Sequence, residues 1–246
     1  MVRTVDYKSR QRAVLSSAIK RYIKDALPVS SEDIAQEFNL SSATIRNIFA
    51  ELEESGYLTH PHTSGGRIPT NQGYRYYVDF LLSQMELLDE DKQRIVNEYE
   101  ERLNRLEDTL ERTSEVISKI THYASIVYFL KWQDRIFYKG VSLILEQPEF
   151  RDIQKFRLIL EMIEEKQCLI NVINRDFSGR VKVYIGEELG YPEINNCSIV
   201  VSNYRLKDKS LGKLAVLGPT RMEYQRIIPA LEYISDVLAG VLNDKF

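Results

Sequence analysis

The chain has 246 residues, 43% hydrophobic and 28% charged, with a net charge of −3 from 33 basic and 36 acidic side chains. That is ordinary globular composition with room for one large or two modest domains, and the acidic balance excludes a general nucleic-acid coat. Two cysteines, Cys168 and Cys197, make no disulfide framework and read as buried free thiols.

Residues 1–77 hold ten basic and eight acidic residues, so the positive excess lies at the amino end while the remainder is acidic. From Ser9 to Asp25 the apolar residues Val14, Leu15, Ala18, Ile19, Tyr22 and Ile23 recur at helical spacing. Leu27-Pro28-Val29 interrupts that stripe. Ser30 or Ser31 then caps a second predicted helix, with Ile34, Ala35 and Phe38 on its buried face. Ser41 or Ser42 caps a third, whose expected core residues are Ala43, Ile45, Ile48, Phe49 and Leu52; Gly56 closes it.

Tyr57–His60 reads as a short strand, Pro61–Gly66 as a turn, and Arg67-Ile68-Pro69 as the returning strand. Thr70 caps a further helix bearing Tyr74, Tyr77, Val78, Phe80 and Leu81. Three short helices followed by a hairpin outline a winged helix-turn-helix.

Residues 89–121 contain no proline or glycine. Leu103, Leu106, Leu110, Thr113, Ile117 and Ile120 fall there at alternating spacings of three and four. Two readings stand: one amphipathic helix packed on its own domain, or a pairing helix between subunits. Beyond Tyr123, strands are predicted at Ser125–Leu130, Arg135–Tyr138, Gln167–Ile173, Val181–Ile185, Ile199–Tyr204 and Gly212–Leu217, with helices over Asp152–Glu165 and Tyr224–Leu242. The elements do not alternate regularly, which predicts an α+β domain. The expected division is a winged-helix domain over 1–86, a connecting helix over 87–122 and a mixed α+β domain over 123–246.

The third helix carries the most specific chemistry. Ser42 and Thr44 at a helix start suit phosphate, and Arg46 and Asn47 are residue types that read guanine and adenine edges in the major groove. On the hairpin, His62, Ser64 and Arg67 suit the flanking backbone or a minor groove. His60 and His62, two apart with no cysteine or paired carboxylate nearby, make a poor metal site. No phosphate-binding glycine loop and no nucleophile–base pair is present, so neither a cofactor nor enzymatic activity is expected. With no apolar run near the length of a membrane span, the expected location is the cytoplasm.

With these residues in view, the chain resembles the heat-inducible transcription repressor family, HrcA. The matching stretches are Ser41–Asn47, Glu51-Leu52-Glu53, Gly56-Tyr57-Leu58, Pro61–Ser64, Gly66-Arg67, Pro69-Thr70 and Gly73–Asp79 in the amino half. In the carboxyl half they are Gln147–Phe150, Ile185–Glu188, Cys197–Val200 and Gly218–Tyr224. The resemblance implies a winged helix followed by a GAF-like domain, and a repressor of chaperone operons. It also implies binding to double-stranded DNA at an inverted-repeat operator as a homodimer, with a chaperonin as modulator and no membrane partner. The family's usual inserted dimerisation segment is missing or nearly so between His122 and Glu146, which marks this chain as a short member. An alternative keeps the DNA-binding head but gives the GAF-like domain a small molecule to sense.

Overall fold

The computed structural model describes residues 2–61, 66–82, 87–99, 106–132, 135–150, 152–206 and 209–245. The chain divides into two compact units, residues 1–81 and 82–246.

The first unit begins with α1 (Val2–Asp25), which buries Val14, Leu15, Ala18, Ile19 and Ile23 along one stripe. It is followed by α2 (Ser31–Phe38) and α3 (Ser42–Glu54). Ser30 caps α2 by accepting from the Asp33 amide at 3.2 Å, and Asn39 ends it in the left-handed conformation. That turn lets the Asn39 and Leu40 amides bond the last carbonyls of α2. The hairpin strands β1 (Leu58–Thr59) and β2 (Ile68–Pro69) pair antiparallel, and Val29 and Arg67 exchange backbone hydrogen bonds at 2.9 Å, adding a third short edge. In α4 (Asn71–Leu81), Tyr74, Tyr77, Val78 and Leu81 are buried, whereas Phe80 is exposed. Thr70 caps that helix, accepting from the Gly73 amide at 3.1 Å while its hydroxyl donates to the Gly56 carbonyl.

The second unit is α+β. Helices α5 (Asp89–Tyr99) and α6 (Leu106–Thr121) precede β3 (Ala124–Phe129) and β4 (Ile136–Lys139). Then come α7 (Ile153–Glu164), α8 (Gln167–Ile173), β5 (Val181–Ile185), β6 (Cys197–Leu206), β7 (Lys209–Pro219) and α9 (Tyr224–Lys245). The five strands form one sheet in the order β4-β3-β7-β6-β5, every neighbouring pair antiparallel. Relabelled from β3 as first strand, that is 2-1-5-4-3, a GAF-like order. Side chains alternate across the sheet. On one face Ala124, Ile126, Tyr128, Ile199, Val201, Ala215 and Leu217 join residues of α7 and α8 in a single apolar core. The other face meets α6 and α9: Ser125 donates to the Ser114 carbonyl of α6 at 2.6 Å, and Ser202 and Ser235 of α9 share a hydrogen bond at 2.7 Å.

One strand expectation is corrected. Gln167–Ile173 is helical, not a strand. Its run of Cys168, Leu169, Ile170, Val172 and Ile173 is too short and too uniformly apolar for periodicity to separate strand from helix. The buried set, Leu169, Ile170, Val172 and Ile173, is one helical face turned to the core. Within 89–121 the described residues form α5 and α6, and residues 100–105, including Leu103, lie outside the described residues. In α6, Leu110, Thr113, Ile117 and Ile120 are buried as the seam predicts, but so are Thr109, Ser114, Val116 and Thr121. That width of burial comes from packing on β3, β4 and α9 of the same unit, which favours the amphipathic-helix reading for α6.

Candidate nucleic-acid interface

The Ser41 side chain starts α3. Its hydroxyl accepts from the Thr44 amide at 3.1 Å and lies 2.8 Å from Thr44 Oγ1, so Ser41 rather than Ser42 is the cap. With the cap one residue earlier, Ser42 and Thr44 lie in the first helical turn, half-buried. Ile45, Ile48, Phe49 and Leu52 turn inward and anchor the helix to its own unit.

The opposite face carries Ala43, Arg46, Asn47 and Ala50, all exposed. Their spacing of i, i+3, i+4, i+7 makes one continuous stripe. Ala43 was expected in the core and is not: it belongs to this outer stripe. Ala50, four residues after Arg46 and three after Asn47, completes the stripe at a spacing already legible in the sequence. Methyl side chains flanking an arginine and an asparagine leave a helix surface that can approach base edges closely, and alanine also suits the thymine methyl. Arg46 Nε lies 3.4 Å from the Ser42 carbonyl within the same helix, which leaves the guanidinium displayed outward.

The wing is tied to this helix through Glu53. Arg67 Nε lies 3.0 Å from Glu53 Oε2, and His60 Nδ1 contacts Glu53 Oε1. The Arg67 side chain is only 15% exposed. Arg67 is therefore committed largely to holding β2 against the end of α3, a role that its sequence context did not reveal. His62 and Ser64 lie outside the described residues.

Residues 6–79 match the family described as "Winged helix-turn-helix transcription repressor, HrcA DNA-binding", and residues 128–228 match the HrcA protein C-terminal domain. The chain belongs to the HrcA family. It is similar to the heat-inducible transcription repressor HrcA of Desulforamulus reducens, 28% identical over 336 aligned positions that cover 95% of this chain and 96% of the relative. The HrcA repressor of Brevibacillus brevis is 29% identical over 336 positions, covering 96% and 98%. A solved structure described as a hypothetical protein, 19% identical, superposes with a TM-score of 0.83 over 96% of this chain and 99% of that one, which shows a shared fold. The 336 aligned positions exceed the 246 residues of this chain by 90, so the relatives carry positions with no counterpart here, as expected of a short HrcA member. By family and by fold the chain is a winged-helix, DNA-binding transcription repressor.

The carboxyl-half stretches that carried the resemblance converge in the structure. Arg221, 9% exposed, pairs with Glu149 and donates to Gln147 Oε1 at 3.0 Å. The Tyr224 hydroxyl donates to Ser198 Oγ at 2.9 Å, and the Thr220 amide donates to the Asn196 carbonyl at 3.0 Å. Glu188 reaches back to accept from the Ile185 amide at 2.9 Å. These contacts are structural ties around the β7–α9 junction, and they account for residue types that the sequence alone left without a role.

Proposed function

We propose that this HrcA-family chain represses heat-shock chaperone operons by binding an inverted-repeat operator in double-stranded DNA as a homodimer. The observation that carries the reading is the outward stripe of α3, with Arg46 and Asn47 displayed between two alanines on the second helix of a helix-turn-helix. In this reading Arg46 and Asn47 contact base edges, while Ser42 and Thr44 contact phosphate near the positive end of the helix. His62, Ser64 and Arg67 sit against the flanking backbone or minor groove. For Arg67 the contact is made by its terminal nitrogens, because Nε is buried beside Glu53.

A two-fold dimer presents two copies of α3 to two half-sites, their spacing set by the subunit geometry. Residues 1–86 serve as the DNA-binding domain, 87–122 as the connection and 123–246 as the GAF-like regulatory and dimerisation domain. A chaperonin modulates activity, and the setting is the cytoplasm. Among the described residues, no helix is long and apolar enough to cross a membrane. The names of the relatives, heat-inducible repressors, support the stress-gene assignment.

The test is footprinting on DNA upstream of the host's chaperonin operon, with and without added chaperonin. Protection of an inverted repeat that strengthens with chaperonin is the expected result. Protection no different from that on scrambled DNA would sink the operator assignment, and indifference to chaperonin would remove the modulator.

A further inference from the structure

Lys213 is out of place for a core strand. It lies on β7, the central strand of the sheet, on the same face as Ala215 and Leu217, which are fully buried in the apolar core. Its register partners are Tyr128 on β3 and Asn203 on β6, so the three side chains form one row across the middle of the sheet. Lys213 is only 7% exposed. Its ammonium donates to the Arg175 carbonyl at 3.0 Å and stands 5.0 Å from the centre of the Phe177 ring. No carboxylate among the described residues lies within ion-pair distance of it; Asp176 acts on it only from farther off. Burial accordingly pulls its pKa below the ordinary lysine value.

This row floors a cavity of about 550 Å³, walled by the end of α8 and the chain that follows it. Asn174 lines the same space, and its Oδ1 is buried without a hydrogen-bond partner. Arg205 adds a second cation at the rim against the single carboxylate of Asp176, so the lining is net positive. Leu130, Ile170 and Phe177 give the wall an apolar patch, beside the polar Gln167 and Ser210. The volume suits a small organic molecule. A buried ammonium with unused donor capacity and an amide oxygen lacking a donor are groups that a ligand would satisfy.

We propose that this cavity is a binding site for a small organic carboxylate, the carboxyl group meeting Lys213 and Asn203 and the apolar body lying against Ile170, Leu130 and Phe177. The assignment goes beyond the repressor reading and does not depend on it, because all the residues belong to the second unit and the test uses no DNA.

The test is calorimetric titration of the full chain with acetate, hexanoate, decanoate, phenylacetate and inorganic phosphate. Saturable binding of one or more of the longer carboxylates is expected, with acetate and phosphate weak or silent. Lys213→Met, which keeps the side-chain length and removes the amine, should weaken binding by at least about tenfold. Asn174→Asp, which sets a carboxylate on the cavity wall, should do the same, and serves where Lys213→Met disturbs folding. Absence of binding by every carboxylate up to about 10 mM overturns the proposal, since such affinities lie below any useful recognition. Binding that Lys213→Met and Asn174→Asp leave unchanged overturns it as well, as does binding of phosphate alone, which would make this a bare oxyanion site.

Discussion

Arg46 does little for the fold that displays it. Its described hydrogen bond reaches only to Ser42, one turn back in the same helix, and its side chain is exposed. Arg46→Ala should therefore leave the thermal melt unchanged while weakening operator binding by about 1–3 kcal/mol, roughly 5- to 150-fold, with a much smaller loss on random DNA. Fluorescence anisotropy on both DNAs checks this; equal losses on both would reassign Arg46 to the phosphate backbone. Arg67 is the opposite case. Glu53→Ala strands a mostly buried guanidinium, and the cost expected is about 1–3 kcal/mol, read as a lower midpoint in denaturant. Arg67→Ala should lower stability too and weaken operator and random DNA alike, so an unaltered midpoint in both variants would show that the pair does not hold the wing. The cysteines differ for a third reason. Burial pushes the Cys197 thiol up to about 12, so it stays protonated and enclosed at pH 8, whereas Cys168 is half-buried. A thiol reagent at that pH should label Cys168 alone in the native protein, and both after unfolding.

Elements in this chain are fixed by where their ends are tied. The wing and α4 meet at Gly73, where an added Cβ would sit 2.3 Å from the Tyr57 carbonyl oxygen. The Thr70 hydroxyl bridges the same corner, donating to the Gly56 and Tyr57 carbonyls. Gly73→Ala has backbone, not a flexible side chain, to displace, and should destabilise the protein by about 1–3 kcal/mol. A chemical-denaturation midpoint unchanged from the wild type would contradict so close a fit. Caps, turns and the amphipathic stripes of α1 to α4 are local or nearly local, and the sequence displayed them. Gln167–Ile173 is ambiguous in sequence because its core contacts are long-range: an apolar run fits either a buried strand or a helix face until the sheet beneath it is in place. Ala43 was misplaced for a similar reason. A small alanine near the start of a helix fits either face, and only the position of α1 and α2 decides which.

The second unit depends, as a whole, on pairings between residues far apart in the chain. Arg221 joins Glu149 and Gln147 across more than seventy residues, locking the β7–α9 junction to the short helical turn at Pro148–Phe150. Arg221→Met should cost about 2–5 kcal/mol, because it leaves Glu149 charged and largely enclosed without its partner. Adding Glu149→Gln should recover part of that loss, a coupling that a double-mutant cycle on urea unfolding would read directly. If the two changes simply add, the pair is incidental.

By itself the sequence determined the helix-turn-helix, the hairpin after it, the α+β character of the carboxyl half and the identity of Arg46 and Asn47 as outward polar groups. Each of these rests on spacing, capping or turn chemistry within one element or its neighbour. Only the tertiary structure decided that Arg67 is drawn onto Glu53, that α6 lies on its own sheet, and that Lys213 stands beside Asn203 over a cavity. Those facts require strands and helices distant in sequence to be brought into register, and a side chain's polarity does not say which distant partner will satisfy it.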